Sequence, residues 1–273
     1  RLHQDSMQLL KDIGISINNG KDQLKASAQN FPLEIFYLRN GDIPQYLKDG
    51  VVDAAIIGEN VLAEKATDIL KLEKLGFSKC RVSIAIPKGV SYENVSDLEG
   101  KQIATSYPNT VNRFLEENNI NASIHVINGS VEIAPNIGLA DAIVDIVSSG
   151  STLFKNNLTE KNVILTSEAV LSVSPKISDS KQELLNTLRF RIRSVLKGRQ
   201  SKYILLNAPD DKLNDIIKIL PGMNSPTVLP LAKKGWSSVH SVIDKNQFWE
   251  IIDALKQNGA EGILICSIEK MVI

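Results

Sequence analysis

An excess of charge of one sign is absent from this 273-residue chain. Lys plus Arg and Asp plus Glu both number 31, so the net charge is zero with the histidines neutral. No global positive field exists to attract nucleic acid or an acidic membrane surface, and neither is expected as a partner. Any anion site must therefore be local. Long apolar runs are absent too: nothing approaches the roughly 18 consecutive residues a membrane helix needs, and no signal-peptide pattern is visible. Cysteine is scarce. Cys80 and Cys266 lie far apart, without metal-ligand spacing or nearby histidines. They read as reduced, partly buried thiols rather than a disulfide or a catalytic pair. That fits a reducing compartment, and a cytoplasmic location is expected. The three histidines, His3, His125 and His240, are scattered and read as surface or packing residues rather than a base or a metal set.

What is present is ordinary globular composition, 43% hydrophobic and 23% charged, in a chain long enough for two or three domains. Helical and strand patterns alternate. HQDSMQLLKDIG has helical spacing and stops at Gly14. FPLEIFYLR reads as a strand. DIPQYLKDG reads as a short helix with Asp42 as cap, Pro44 in its first turn and Gly50 beyond its end. VVDAAIIG, CRVSIAIP, KQIATSY, ASIHVING and DAIVDIV read as strands, PNTVNRFLEENN as an amphipathic helix and VEIAPNIG as a short helix or turn. This alternation predicts a mainly parallel sheet with both faces covered. VILTSEAVLSVSP reads as a returning strand pair. The helix from Asp179 to Gln200 carries apolar residues at Leu184, Leu188, Ile192 and Val195. From Ser201 the pattern becomes βαββαβ, the ferredoxin-like module.

DGVVDAAIIGENVLAE and GLADAIVDIVSSGSTLFK echo one another. Each has Asp-Ala, a buried strand, a Gly-containing polar loop and a helix start. Either two similar lobes bring both loops to one cleft, or two buried strands are alike by chance. The second loop, Ser148-Ser149-Gly150-Ser151-Thr152, follows its strand directly. Small hydroxyls and backbone N–H groups curved by glycine make an anion nest, suited to a ribose 5-phosphate, with Asp141 or Asp145 placed to hold ribose hydroxyls. A plain capped turn predicts the same residues, and the motif alone leaves both readings open.

The motif is similar to the phosphoribosyl-diphosphate loop of phosphoribosyltransferases. Together with DGVVDAAIIGENVL, CRVSIAIP, GKQIATSYP, NGSVEIAPNIGLADAIVDIVSSGSTL, SKYILLNAP, SPTVLPL and ILICSIEKM, in that order, the chain resembles the long form of the ATP phosphoribosyltransferase family. The resemblance implies an α/β fold: a two-lobed, periplasmic-binding-protein-like catalytic core with a ferredoxin-like C-terminal regulatory domain. Residues 1–87 and 166–198 would form lobe one, 88–165 lobe two, and 199–273 the regulatory domain. The implied reaction joins ATP and 5-phosphoribosyl 1-diphosphate, with Mg2+ held mainly by the substrate phosphates and without a dedicated protein cage. Electrostatic stabilisation, with no nucleophilic side chain, is expected.

The resemblance implies Ser148–Thr152 for the 5-phosphate and Asp141 and Glu132 for ribose or metal-bound water. It implies Arg1, Asp53, Glu59, Asn60, Arg81 and Tyr107 for the ATP side. Arg1, Glu132 and Asp141 are the candidates for electrostatic catalysis. In the family a strand and a Lys-Ser-Gly-like lead precede the arginine matched by Arg1. The tail would bind histidine as a feedback inhibitor at Asn207, Pro226, Thr227 and Gly262. The family often has an acidic residue where Asn207 stands, a charge that asparagine cannot supply. Dimers and hexamers are implied. A solute-binding receptor on the same fold would have no need of SSGST, and a sensing module centred on the tail would leave the first two hundred residues unexplained.

Overall fold

The computed structural model describes residues 1–18, 24–65, 68–220, 222–223 and 225–272. It divides into two compact units, Arg1–Gln8 with Ser16–Leu185, and Leu9–Ile15 with Asn186–Ile273. Helix α1 (Leu2–Asp12) opens the chain, and β1 (Lys25–Ser27) pairs antiparallel with β2 (Glu34–Phe36). The strand predicted over 31–39 is thus only three residues long. Helix α2 (Ile43–Asp49) begins at Asp42, which makes no side-chain cap, and ends where Gly50 turns left-handed at φ 76°. Strand β3 (Ala54–Gly58), helix α3 (Glu59–Glu64) and β4 (Leu70–Lys74) follow. The sequence reading passed over β4, although Leu70-Lys71-Leu72-Glu73 alternates apolar and polar residues over a short, largely exposed stretch.

The chain continues through β5 (Cys80–Pro87), β6 (Gln102–Thr105), α4 (Pro108–Glu117), β7 (Ser123–Val126), β8 (Ala142–Val147) and α5 (Ser151–Lys155). Then come β9 (Leu158–Ser167), β10 (Ala169–Val173) and the long α6 (Asp179–Gln200). The first lobe has a three-stranded sheet, β3-β10-β4, antiparallel throughout. The second has five strands in the order β7-β6-β8-β5-β9. Only β6 runs parallel to β7 and β8, while β5 is antiparallel to β8 and β9. The expected mainly parallel sheet is therefore mixed. Parallel pairing needs a long crossover, which α4 and the turns around Val131–Ile137 supply. Strands β5 and β9 instead carry the chain in from the first lobe and back to it.

Those two crossings lie side by side. Leu75 N donates to Ala169 O at 2.9 Å, Ala169 N to Phe77 O at 3.0 Å, and Gly76 N to the Glu168 carboxylate at 2.8 Å. Strand Cys80–Pro87, read from sequence as part of the first lobe, hydrogen-bonds in the second lobe's sheet. The unbroken apolar triplet Ala142-Ile143-Val144 of β8 reflects burial on both faces of that sheet. One face packs Val82, Ile84, Ile103 and Val144 under Val111 and Leu115 of α4. The other packs Ala85, Ala104, Ile143 and Val147 under Val131, Ala134 and Leu153.

In the second unit, β11 (Ser201–Pro209), α7 (Leu213–Ile219), β12 (Thr227–Pro230), β13 (Trp236–Asp244), α8 (Phe248–Gln257) and β14 (Glu261–Ser267) form the predicted βαββαβ module. The sheet order is β12-β13-β11-β14, all antiparallel. The last strand ends at Ser267, short of the predicted run to Ile273, and Ile273 itself lies outside the described residues. Ile204, Leu206 and Ala208 alternate inward onto Ile216, Leu220 and Leu255. In the long helix α6 it is Leu185, not the predicted Leu184, that is buried. Among the described residues no helix is long and apolar enough to cross a membrane.

Candidate active site

Because β6, β7 and β8 are parallel, their carboxyl ends open on one edge, where sheets of this kind bind ligands. Ser106 and Tyr107 follow β6, the turn holding Glu132 follows β7, and Ser148 follows β8. The antiparallel β5 brings Cys80 and Arg81 to the same edge.

In the loop after β8, Ser148, Ser149, Ser151 and Thr152 are all exposed. Gly150 has φ 77°, and nothing lies within 4 Å of where its Cβ would stand. Glycine is thus required by the backbone conformation and not by crowding. Ser149 Oγ and Ser151 Oγ are 3.0 Å apart, and the Ser151 amide points at Ser149 Oγ at 3.4 Å. Helix α5 starts immediately, leaving its first amides without intrahelical acceptors.

Asp145 stands two residues from the end of β8. Its carboxylate accepts a 2.7 Å bond from the Ile146 amide. Burial pushes its pKa up to about 6, the Ile146 amide opposes that rise, and the charge of Glu132 adds to it. Glu132 and Asp145 therefore face each other's fields beside the loop. Sequence reasoning offered Asp145 only a minor part, although a carboxylate inside a buried apolar strand was the available signal.

Asp141 is a correction. Its carboxylate accepts from the Gln102 amide at 2.9 Å while its own amide donates to Gln102 O at 2.8 Å. It staples the amino ends of β8 and β6, and seven strand residues put it about 20 Å from Ser148. Asp53 is corrected for the same reason. It precedes β3, pairs with Lys181 Nζ through both oxygens at 2.9 Å, and lies about 20 Å along the strand from Glu59. The echo between the two lobes is real in topology: both aspartates start a strand whose far end carries the polar loop.

That far end in the first lobe is Gly58-Glu59-Asn60. Glu59 is ion-paired with Lys71 at 3.4 Å and Lys74 at 3.6 Å. Asn60 is buried. Its amide nitrogen donates to Tyr107 Oη at 3.0 Å, its amide oxygen accepts from Ser167 Oγ at 2.9 Å, and its backbone N–H donates to Ser167 Oγ at 3.0 Å. Burial holds the Tyr107 phenol at about 12, partly offset by the Asn60 bond. Asn60 and Tyr107 thus join the two lobes beside the crossing strands.

Arg81 grips Glu160 with a forked pair of hydrogen bonds and donates Nη1 to Ser148 O at 3.2 Å. The Glu160 carboxylate beside it raises the guanidinium pKa above its usual value, and the guanidinium holds Glu160 below the usual carboxylate range. Expected on the ATP side, Arg81 is instead already bidentate to a carboxylate and braces the first carbonyl of the Ser148–Thr152 loop. Arg1 is exposed, and its charge reaches the Cys80 thiol, lowering a pKa that burial raises more strongly. A cavity of about 450 Å³ lies at the opposite edge of the sheet, lined by Tyr92, Asp97, Lys101 and Asp141. It is remote from the loop.

In the second unit, Asn207 and Gly262 are neighbours. Gly262 sits in a bulge at φ 60°, and a Cβ there would stand 3.3 Å from Asn207 Nδ2. Thr227, after Pro226, pairs with His240 on β13. It is two strands away from β11, about 10 Å across the sheet. The four predicted histidine-binding residues thus form two pairs and not one pocket within the module.

Residues 39–194 match the family described as HisG, ATP phosphoribosyltransferase, and residues 198–270 match the HisG C-terminal domain. The chain belongs to the ATP phosphoribosyltransferase family. An ATP phosphoribosyltransferase of Cytophaga hutchinsonii is 53% identical over 272 residues, covering 100% of this chain and 95% of the relative. One of Phocaeicola vulgatus is 52% identical over 273 residues, covering 100% and 96%. Among solved structures, the ATP phosphoribosyl transferase (HisG:HisZ) complex from Thermotoga maritima matches with TM-score 0.62 and 31% identity, over 72% of this chain and 94% of that one. The chain is an enzyme of the long form of this family, with the two-lobed α/β core and the C-terminal domain together. Membership in the family places it at the first step of histidine biosynthesis.

Proposed function

We propose that the chain transfers the phosphoribosyl group of 5-phosphoribosyl 1-diphosphate to ATP, giving phosphoribosyl-ATP and pyrophosphate, and that histidine inhibits it. A ring nitrogen of the adenine forms the new bond to the anomeric carbon. The bond from that carbon to the diphosphate oxygen breaks, and the electron pair leaves with pyrophosphate. The observation that carries this reading is the convergence of Glu132, Asp145 and the Ser148–Thr152 loop on one strand edge, in a chain matched end to end by ATP phosphoribosyltransferases.

The loop would hold the 5-phosphate by its hydroxyls and the first amides of α5, as backbone nests hold anions. Asp145, with Glu132 beside it, would hold the ribose hydroxyls and oppose the positive charge that grows on the ring as the diphosphate departs. Arg81 would position the loop through Ser148 O. The first lobe, with Glu59, Asn60 and Arg1, would receive ATP, and bringing both substrates into one site would supply much of the rate. Glu132 and Asp145 are hard oxygen donors suited to the water shell of Mg2+. The ion would arrive with the diphosphate and neutralise it as it leaves. Histidine would bind the regulatory module through Asn207 and Gly262 on one side and Pro226 and Thr227 on the other. Because those pairs lie apart, the complete effector site would need a second chain, in keeping with a dimer or hexamer. The test of the binding roles is calorimetry with 5-phosphoribosyl 1-diphosphate and Mg2+. The full chain should bind it, and Asp145→Asn should weaken that binding while Asp141→Asn should not. Equal affinities in all three proteins would refute the roles given to this edge.

A further inference from the structure

Glu64, at the end of α3, is buried and points away from its own helix to the start of another. One carboxylate oxygen accepts from the Asn109 amide at 3.0 Å. The other accepts from the Thr110 amide at 2.9 Å and from Thr110 Oγ1 at 2.8 Å. The Glu64 backbone carbonyl accepts from Asn109 Nδ2 at 2.9 Å, and the Ala63 carbonyl accepts from Arg113 Nη2 at 3.0 Å. All five donors belong to α4 in the second lobe, and all the acceptors belong to α3 in the first. Tyr107, at the N-cap position of α4, supplies no side-chain cap. The cap comes from the other lobe: a carboxylate satisfies amides that the helix cannot satisfy itself and lies at its positive end.

The two joined helices each begin at the site. Helix α3 starts at Glu59 immediately after Gly58, and α4 starts immediately after Tyr107. Asn60 ties the first turn of α3 to Ser167 at the crossing strands. Glu64 is four residues further out, about 6 Å along the helix axis. A rotation of one lobe about the crossings would thus move Glu64 relative to α4. A displacement of about 1 Å takes bonds of this length outside the normal range.

We infer that Glu64 is a positioning residue: by capping α4 from the first lobe, it sets how far the Glu59–Asn60 turn stands from Tyr107 and the Ser148–Thr152 loop, and hence how the two substrates meet. The inference rests on the two-substrate reading above. It touches neither substrate and takes part in no bond change. Its loss leaves the phosphate loop intact within the second lobe but lets the lobes part.

Glu64→Gln tests this, because the carboxamide turns one of two acceptor positions into an N–H facing another N–H. Expected is a fall in kcat of about tenfold to a hundredfold, with the KM for 5-phosphoribosyl 1-diphosphate within about twofold of wild type. Thr110→Val, which removes one of the three donors, should give a smaller effect of the same kind, and Thr110→Ser should restore wild-type kinetics. Thr110→Val also serves as the test if Glu64→Gln fails to fold. Hydrogen exchange reads the contact without turnover: the Asn109 and Thr110 amides should exchange faster in both Glu64→Gln and Thr110→Val. Unchanged kcat in well-folded Glu64→Gln and Thr110→Val, or exchange at those amides equal to wild type, would overturn the inference. Absence of turnover in the wild-type chain would instead refute the two-substrate reading, leaving the exchange result to decide the clasp.

Discussion

The side-chain amide of Asn60 donates to the phenol oxygen of Tyr107 at 3.0 Å, joining the first-lobe loop to the strand edge of the second. The bond is part of a closed set with Ser167 at the crossing strands, in which the Asn60 side chain uses both its nitrogen and its oxygen. Removing the phenol oxygen leaves a buried donor unpaired. Tyr107→Phe should therefore lower stability by about 1–3 kcal/mol, read as the urea midpoint. A midpoint equal to wild type would mean that water replaces the phenol without cost.

Asp145 carries a pH signature. Its carboxyl moves from 3.8 to about 6 in the fold, chiefly through burial. The folded state thus disfavours the charged form, so this group's contribution to stability falls as pH rises from about 4 through 6. Asp145→Asn removes that penalty. The variant should be more stable than wild type above pH 6, by up to about 3 kcal/mol at about 1.4 kcal/mol per factor of ten, and the gap should close below pH 4. Turnover should show the opposite preference, lost in the variant and, in wild type, rising through about pH 6 as the carboxylate forms. A stability gap that is constant from pH 4 to 8 would contradict the assignment.

Much of this was legible in the sequence because it rests on short-range patterns. The succession of strand and helix patterns from Ser201 gave the tail module, and the apolar triplet before Asp145 gave a buried strand. The turn at Gly150 followed from a glycine between hydroxyls. The misplacements came from distances that a linear motif cannot express. Asp53 and Asp141 adjoin the right strands but at their amino ends, because five or six extended residues separate a strand's two ends by nearly the width of the lobe. Glu64 was not legible at all: its partners are about 45 positions away and depend on how the two lobes meet. Arg81 looked like a triphosphate ligand because nothing in its neighbourhood announces Glu160, 79 residues later.

Gly150→Val forces a β-branched residue into a left-handed backbone. With open space around the site the protein should still fold, at a backbone-strain cost of about 1–3 kcal/mol, while affinity for 5-phosphoribosyl 1-diphosphate falls about tenfold or more, because the loop's amides turn away. Histidine binding should be unaffected. Unaltered substrate affinity, measured by calorimetry, would mark the loop as a turn only.

Gly262→Ala places a methyl group 3.3 Å from the Asn207 amide nitrogen at a φ of 60°. It should weaken inhibition by histidine several-fold with uninhibited turnover preserved, because the change lies in the second unit. Inhibition curves for the two proteins that superimpose would move the effector site away from β11 and β14.

The most direct measurement of the central claim is the absorbance change on mixing the full chain with ATP, 5-phosphoribosyl 1-diphosphate and Mg2+, pyrophosphatase being present to remove one product. Steady formation of phosphoribosyl-ATP, dependent on both substrates, abolished by Asp145→Asn and retained by Asp141→Asn, is the predicted result. Correctly folded protein that forms no product, or that is equally impaired by the two substitutions, would contradict the account.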